Sequence, residues 1–387
     1  MKLLFFFTQQ IAPNAGGVER VVTCMYEELS KRGFDITTLY LKPFQSEKAI
    51  PNQTQLPSVN GSAPENEEFI KRFIKDNHFN IAFNFGAIFN RSSHAFVMAC
   101  YYENIPIISV YHNTLDWILW LNPYTSVLMR NRISRVITRK LYSLFQKFPY
   151  IHNAKYYSRK SAASVVLASC YKQEFLKLID STPHHLTAIY NPQVMSVATK
   201  NVSFDGKLNE ALFVGRLEEQ KNVVELIQIW NLVNKRNWKL NIIGDGSQRT
   251  MLTDLIAKLN LSNSITLLGH QDNPQDFYTR AKIFVMTSKY EGFPMTLIEC
   301  QAFGCVPIVY DSYPAAKEII VNGENGYLIP FKQRKVYADR LNELMSDTAL
   351  LKKLSLNSIR SADRFNPDYI MDEWIKLITQ HSNQDYK

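Results

Sequence analysis

The stretch KIFVMTSKYEGFPMTLIECQAFGCVPIVYD, Lys282–Asp311, carries the pattern that decides the fold. A short apolar run at each end is typical of a buried strand, and the middle has the composition of a helix. Pro294 suits the first turn of that helix, and Gly304 suits its end. Glu291 therefore falls in the loop before the helix, and Glu299 falls inside it. Two strands joined by a helix are expected to lie parallel in one sheet.

The same alternation extends in both directions from this stretch. One series of strands and helices runs from the N-terminus to Asn191-Pro192, and a second begins at Ala211. Two such series predict an α/β protein with two doubly wound, Rossmann-like domains. We expect an N-terminal domain over 1–193, a C-terminal domain over 194–365, and a last helix in 366–387 that packs back on the first domain. Residues 43–64, rich in Pro, Asn, Gln and Ser, are expected to form a polar loop.

Composition and charge exclude several classes of protein. With 387 residues and 46% hydrophobic content the chain is globular, and it contains no apolar run of about 18 residues. The start, MKLLFFFTQQ, is too short in its apolar part for a signal peptide and indicates a buried strand. Five scattered cysteines fit neither a zinc site nor a disulfide framework, so we expect no metal, reduced thiols and a cytoplasmic location.

The net charge of +9 is concentrated in one segment. Residues 116–160 contain nine Lys or Arg residues and a single acid, Asp116. Because the rest of the first half is balanced, a nucleic-acid-binding surface is not expected.

Two loops with candidate anion-binding residues lie where parallel sheets bind ligands, at the carboxyl ends of strands. Gly16-Gly17 precedes a helix, whose N-terminus favours an anion, although glycine pairs also make plain turns. Arg216 and Lys221 follow the first strand of the second series and suit a diphosphate, although two such residues are also common on a solvated helix start.

The two glutamates allow several interpretations. Their division between loop and helix disfavours a shared metal site, and no nearby acidic or histidine cluster would complete one. It also disfavours an acid and nucleophile that flank one bond. A carboxylate accepts well from paired hydroxyls, so Glu291 and Glu299 are candidates for binding two polyol groups, or they are unrelated charges.

An ordered set of motifs resembles a known family. These motifs are GGVER, VYHN, VGRLEEQKN, IIGDG, LLGHQDN, YEGFPMTLIECQAFGCVPIV and EIIVNGENGYLI. EGFPMTLIE resembles the E-x7-E signature of retaining glycosyltransferases of GT-B architecture, in the large family 4 that includes many bacterial polysaccharide and lipid-sugar enzymes. The resemblance covers nearly the whole chain and implies two Rossmann-like domains facing a central cleft. SYPAAKEII lacks the glycine pair that many relatives carry there, so Glu318 is given no role.

The resemblance implies roles for individual residues. Glu299 is implied to bind the donor ribose and Glu291 the donor sugar, while Arg216 and Lys221 hold the diphosphate and His112 contacts the sugar near the reacting carbon. With Gly16 and Gly17 in the phosphate pocket, the remaining implied donor contacts are Gly215, the nucleobase loop Gly269, His270 and Gln271, and the backbone of Phe293, Pro294, Met295, Thr296 and Leu297.

The expected activity is a metal-independent, retaining transfer of a sugar from a UDP- or GDP-sugar to a glycan or polyprenyl-diphosphate-linked acceptor, without a cofactor, in capsule or lipopolysaccharide assembly. Two alternatives stay open. One is a sugar-nucleotide epimerase of the same fold, which needs no acceptor, and the other is a non-catalytic glycan- or membrane-binding relative.

The basic segment predicts one amphipathic helix over 123–148. Its apolar stripe is consistent with packing inside the domain, whereas its basic rim suits an anionic membrane surface at the cytoplasmic face. The candidate membrane or acceptor contacts are Trp117, Trp120, Arg130, Arg132, Arg135, Arg139 and Lys140.

Overall fold

A computed structural model describes residues 1–14, 16–44, 46–85, 91–112, 149–195 and 203–382. The chain divides into two compact units. Unit 1 comprises Met1–Pro192 and the C-terminal segment from Pro367, and unit 2 comprises Gln193–Asn366. The predicted helix over 123–148 lies outside the described residues, and so do all seven candidate membrane or acceptor contacts, including Trp117 and Trp120 before that helix.

Unit 1 contains a seven-stranded sheet in the order β3-β2-β1-β4-β5-β6-β7, with every described pair parallel. Its strands are β1 Lys2–Gln9, β2 Asp35–Lys42, β3 Gln53–Gln55, β4 Ile81–Asn84, β5 Ile107–Tyr111, β6 Ala163–Val166 and β7 Leu186–Ala188. Its first helices are α1 Gly17–Lys31, α2 Pro64–Asn77, α3 Arg91–Tyr102, α4 (helical over 149–160) and α5 Cys170–Ile179.

The apolar start of the chain is the centre of this sheet. Leu3, Leu4, Phe5 and Phe6 have no exposed surface, because β1 pairs on both sides and helices cover both faces of a parallel sheet. The interpretation of MKLLFFFTQQ as a buried strand is therefore confirmed.

The expectation of a loop over residues 43–64 is wrong at one point. Gln53–Gln55 forms β3 at the edge of the sheet, where it pairs with β2. Leu56 donates its N–H to the carbonyl of Tyr40 at 2.8 Å, and Thr38 donates to Asn52 at 2.9 Å. Three polar residues on an edge strand carry no apolar alternation, so this strand depends on backbone pairing that the side-chain pattern does not reveal.

Unit 2 contains a six-stranded sheet in the order β10-β9-β8-β11-β12-β13, again parallel in every described pair. Its strands are β8 Leu208–Val214, β9 Lys239–Ile243, β10 Ile265–Gly269, β11 Ala281–Met286, β12 Val306–Asp311 and β13 Tyr327–Pro330. Its helices are α6 Val223–Leu232, α7 Arg249–Lys258, α8 Gln275–Arg280, α9 Met295–Ala302, α10 Ala315–Ile319, α11 Arg334–Ser346 and α12 Thr348–Ala362.

The strand order of unit 2 is that of a Rossmann fold, in which the order reverses between the first and fourth strands. Here those strands are β8 and β11, which pair directly. In unit 1 the same reversal falls between β1 and β4. The prediction of two Rossmann-like α/β domains is confirmed.

The last helix, α13 Pro367–Ser382, belongs to unit 1. Trp374 packs against Phe83 of β4 with ring centroids 5.8 Å apart. Asp368 accepts a hydrogen bond from Arg32 at 2.7 Å, and His381 and His185 share one at 2.8 Å between ring nitrogens. Apolar packing, an ion pair and an imidazole pair therefore connect the C-terminal helix to this unit.

Candidate active site

The candidate site of unit 2 lies where the strand order reverses. The loop after β8 carries Arg216 and Lys221, and the loop after the adjacent β11 carries Glu291. Chain segments that leave neighbouring parallel strands open a crevice at their carboxyl ends, which is where such sheets bind ligands. The fold therefore brings together the two loops that the sequence analysis selected separately.

Close backbone packing holds the first of these loops. A Cβ atom on Gly244 would lie 1.9 Å from the carbonyl oxygen of Gly215, and one on Gly246 would lie 2.7 Å from that of Leu217. Gly244 also has φ of +134°, a conformation that only glycine adopts without strain. The loops after β8 and β9 therefore touch backbone to backbone, which fixes the position of Gly215.

Polar contacts reinforce the same junction. Leu217 donates its N–H to the carbonyl of Asp245 at 2.8 Å. Glu218 accepts from the Ser247 amide at 2.9 Å and from its hydroxyl at 2.6 Å, and these bonds lower the pKa of the Glu218 carboxyl. Arg216, between the fixed Gly215 and Leu217, is exposed and can turn toward an anion.

Lys221 and Glu291 form an ion pair between the two loops. The Lys221 Nζ atom donates to Glu291 Oε1 at 2.6 Å, with only 14% of the lysine side chain and 8% of the glutamate side chain exposed. The lysine stem passes Gly215, where an added Cβ would lie 3.4 Å from Cε. Gln220 Nε2 lies 3.5 Å from the other carboxylate oxygen, Oε2. An ammonium has three donors, and the bond to Glu291 uses one of those of Lys221.

The two loops are also joined through their backbones. Lys289 donates its N–H to the carbonyl of Gln220 at 2.8 Å, and the Gln220 side chain donates to the carbonyl of Tyr290 at 3.0 Å. Asn222, with φ of +54°, donates its side-chain amide to the carbonyl of Thr287 at 3.2 Å. These contacts hold the Lys221–Glu291 pair from both sides.

Glu299 lies one helix turn beyond the start of α9 and has no exposed surface. The Tyr278 hydroxyl donates to Glu299 Oε2 at 3.0 Å. Ahead of the helix, Phe293 packs edge-on against Phe365 with ring centroids 5.6 Å apart, which anchors the turn that leads into Pro294. The structure therefore places Glu291 in the loop and Glu299 in the helix, as the Pro294 and Gly304 signals predicted.

The start of α9 presents polar groups. The first N–H groups of a helix lack intrahelical partners, and the helix dipole favours an anion there. Among the described residues, the buried hydroxyl oxygens of Ser288 and Thr296 have no hydrogen-bond partner. Met295 begins the helix and Leu297 is fully buried behind it, so this turn offers backbone and hydroxyl groups beside the ion pair.

The predicted nucleobase loop follows β10, two strands away from β8 in the sheet. Gly269 has φ of +74°, Gln271 donates to the carbonyl of Leu268 at 3.0 Å, and the exposed His270 lies 3.3 Å from Asp272. This loop belongs to the same edge of the sheet, but it is not in contact with the ion pair through any described bond.

Unit 1 carries the other predicted site residues. Gly16 and Gly17 lie at the start of α1, where an added Cβ on Gly16 would meet Glu19 Oε2 at 2.5 Å. An acid in the first turn interacts favourably with the helix dipole, so this carboxylate and a bound phosphate would compete for the same helix end.

His112 follows β5, with its ring 5.6 Å from that of Phe85. The residue is partly exposed, but both ring nitrogens are buried and have no hydrogen-bond partner among the described residues. Burial lowers the pKa of His112 to about 4. The ring is therefore neutral at neutral pH and able both to donate and to accept a hydrogen bond.

Several side chains at the site had no signal in the sequence. Three of them donate to backbone carbonyls, which no residue spacing reveals: Gln220 to Tyr290, Asn222 to Thr287, and the Thr287 hydroxyl to Asn222 at 3.0 Å. Tyr278 lies in α8, 21 positions before Glu299. The contact depends on how α8 and α9 pack.

In the part of the chain that the structure describes, no group of three or more His, Cys, Asp or Glu side chains is arranged to hold a metal ion. None of the described helices is long and apolar enough to span a bilayer.

Comparisons with known proteins cover both units. Residues 197–361 match the family model described as Glycosyl transferases group 1, and residues 15–192 match that described as Glycosyltransferase Family 4. The chain is 32% identical over 175 residues to the amylovoran biosynthesis glycosyltransferase AmsD of Erwinia amylovora. The aligned residues cover 45% of this chain and 49% of that protein.

A second curated relative is the GalNAc-alpha-(1->4)-GalNAc-alpha-(1->3)-diNAcBac-PP-undecaprenol alpha-1,4-N-acetyl-D-galactosaminyltransferase of Campylobacter jejuni. It is 31% identical over 188 residues, which cover 47% of this chain and 52% of that protein. The chain thus spans about half the length of these curated relatives. The crystal structure of Anabaena Alr3699/HepE in complex with UDP and glucose has a TM-score of 0.75 at 15% identity, over 98% of this chain and 99% of that one. At this identity the likeness establishes the fold.

Proposed function

We propose that this chain, which belongs to the GT-B glycosyltransferases, moves a sugar from a nucleoside diphosphate donor to a glycan or lipid-linked acceptor in cell-surface polysaccharide assembly. One observation carries the proposal. At the reversal point of the unit 2 sheet, the Lys221–Glu291 ion pair joins the loop after β8 to the loop that leads into α9, with Glu299 buried inside that helix. A cation, a helix N-terminus and two carboxylates match the phosphates and the two polyol groups of a nucleotide sugar.

The diphosphate is assigned to Arg216, Lys221 and the first turn of α9. Breaking the bond between sugar and phosphate builds negative charge on the leaving group, and fixed cations and amides at that point stabilise the transition state. The exposed Arg216 can form two parallel bonds to phosphate oxygens. Loss of one such group is expected to lower the rate about 10²–10³-fold.

The carboxylates are assigned to hydroxyl groups. Glu291 binds the transferred sugar, and its contact with Lys221 places that sugar beside the diphosphate. Glu299 binds the ribose, Phe293 to Leu297 line the donor through their backbone, and the loop of Gly269, His270 and Gln271 meets the base.

In unit 1, the neutral ring of His112 is assigned to a hydroxyl of the transferred sugar rather than to proton abstraction, since a pKa of about 4 makes it a weak base. Gly16 and Gly17 are assigned to phosphate binding at the start of α1, where the Glu19 carboxylate lies close to Gly16.

The reaction is proposed to retain the anomeric configuration without a metal ion. The bond between the anomeric carbon and the phosphate oxygen breaks, and the acceptor oxygen forms its bond on the same face. The acceptor proton passes to the leaving diphosphate, so atoms and charge balance without oxidation or reduction. Arg216 and Lys221 supply the positive charge that a metal would otherwise bring.

One relative supports the proposed acceptor class and location. The Campylobacter jejuni relative is named for an undecaprenol-diphosphate-linked glycan, and a similar acceptor would place this protein at the cytoplasmic face of a membrane. Reversing the charge of Arg130, Arg132 and Arg135 should then weaken binding to vesicles of anionic phospholipid. Unchanged binding would remove the membrane part of the proposal.

Nucleotide release distinguishes transfer from the two alternatives. Purified protein is incubated with UDP- or GDP-sugars, with and without undecaprenyl-diphosphate-linked glycans, in the presence of EDTA. Acceptor-dependent release of nucleoside diphosphate, with the donor's α configuration kept in the product by NMR, supports the proposal. Interconversion of sugars without acceptor would indicate the epimerase, and absence of turnover with every donor would indicate a binding protein.

A further inference from the structure

The carboxylate assigned to the ribose is held by a neighbour outside its own helix. Glu299 is fully buried, and a buried carboxylate is costly unless hydrogen bonds satisfy it. The Tyr278 hydroxyl supplies such a bond to Oε2 at 3.0 Å. A bond from a neutral hydroxyl to a charged acceptor is stronger than one between neutral groups and restricts rotation of the carboxylate.

The Tyr278 ring itself has little freedom. It has no exposed surface, and it stacks on Phe303 with centroids 5.8 Å apart and planes 14° from parallel. It also contacts Phe284 of β11 at 6.1 Å between centroids. This packing fixes the position of the ring and therefore of its hydroxyl oxygen.

A buried lysine fixes the end of the helix that carries this tyrosine. Lys207, 5% exposed, donates to the carbonyls of Tyr278, Thr279 and Ala281, each at 2.9 Å. An ammonium has three hydrogens, so these bonds use all of its donors. Together with the Cys305 thiol, which donates to the carbonyls of Tyr278 and Ala281 at 3.1 and 3.3 Å, they satisfy carbonyls where α8 ends and β11 begins, and they attach α8 to the start of β8.

We propose that Tyr278 is a positioning residue that orients the Glu299 carboxylate for the vicinal hydroxyls of the donor ribose, with Lys207 holding α8 in place. This inference rests on the proposed function, in which Glu299 binds the ribose. Tyr278 holds Oε2, so the carboxylate plane is set before the donor arrives and its rotational freedom is not lost on binding. Such pre-organisation increases affinity for the nucleotide.

The test compares nucleotides with and without the two ribose hydroxyls. Binding of UDP, GDP and ADP, and of their 2′,3′-dideoxy counterparts, is measured by calorimetry. Wild type should prefer the ribose form, and Glu299→Gln should lose that preference. Tyr278→Phe, which keeps the ring and removes the hydroxyl, should bind the ribose form about 10-fold more weakly and the dideoxy form unchanged. The double variant should bind no more weakly than Glu299→Gln.

Tyr310→Phe is a matched control, since Tyr310 donates to Glu225 at 2.9 Å in the same unit. It removes the same kind of bond and should leave the ratio of the two affinities unchanged. Because each variant is judged by that ratio, a general loss of stability in Tyr278→Phe does not imitate the effect.

Two failures can be told apart. If Glu299→Gln keeps the preference for the ribose form, or wild type has none, the ribose role of Glu299 in the proposed function is wrong and the inference falls with it. If Glu299→Gln loses the preference but Tyr278→Phe retains it in full, only the inference is wrong.

Discussion

Substitution of Gly244 by alanine should displace the loop after β8, which forms part of the crevice of unit 2. The added Cβ would lie 1.9 Å from the carbonyl oxygen and 2.9 Å from the carbonyl carbon of Gly215. Neither backbone can move freely, since Gly215 donates its N–H to Ile243 at 3.0 Å and Gly244 donates to Gly269 at 2.8 Å. The steric clash can be relieved only if at least one of these two hydrogen bonds breaks.

The expected loss has two parts. Placing alanine at φ of +134° costs about 1–2 kcal/mol. Breaking one or two buried backbone hydrogen bonds adds about 1–3 kcal/mol, so the free energy of unfolding should fall by about 2–5 kcal/mol. Gly323 is the matched control, because it has φ of +82° with no atom within 4 Å of an added Cβ. Gly323→Ala should therefore cost only the first part.

Scanning calorimetry of both variants measures the difference. A loss of 1 kcal/mol lowers Tm by about 2–4 °C in a domain of this size, so Gly244→Ala should melt roughly 4–20 °C below wild type and Gly323→Ala roughly 2–8 °C below. We also expect weaker nucleotide binding only in Gly244→Ala, because Gly215 precedes Arg216. Equal melting temperatures in the two variants would show that the close approach to Gly215 does not hold this loop.

Three further predictions concern charged groups. Lys221→Met and Glu291→Gln should each lower the free energy of unfolding by about 1–3 kcal/mol, because each single change leaves a charge without its partner. The double variant should lose less than the sum of the two single losses. Additive losses in urea denaturation would contradict the ion pair. Burial, and to a smaller extent the neighbouring His185, lowers the pKa of His381 to about 4 in the folded chain, whereas the value in the unfolded chain is near 6.5. Between these two pH values the unfolded chain binds more protons, so stability should fall as pH drops from about 6.5 to 4. In His381→Gln this fall, followed by thermal melts, should be smaller, and an identical fall would refute the assignment. The ratio of wild-type to His112→Gln activity should stay constant between about pH 5.5 and 8 because the ring is neutral throughout, and a steep change near pH 6.5 would mean that His112 titrates in the reaction.

Much of the fold could be predicted because parallel strands and their helices leave strong local patterns. The buried strand at Leu3–Phe6 and the boundary signals at Pro294 and Gly304 are examples of elements specified by neighbouring residues. The edge strand Gln53–Gln55 was missed because backbone pairing alone creates it.

The site was predicted residue by residue, but its contacts were not. Lys221 and Glu291 were selected as separate donors and acceptors, whereas the structure joins them in one ion pair. That pair spans 70 positions, and Tyr278 reaches Glu299 only through the packing of two helices. Contacts of this kind depend on the sheet order, which local spacing does not encode.

The central claim, that unit 2 binds a nucleoside diphosphate sugar, is tested most directly by thermal shift of the whole chain with UDP-, GDP- and ADP-sugars. We predict that one class of donor raises Tm, and that Glu299→Ala abolishes this rise while remaining folded. The absence of a shift with all three classes in wild type, or an unchanged shift in Glu299→Ala, would contradict the claim.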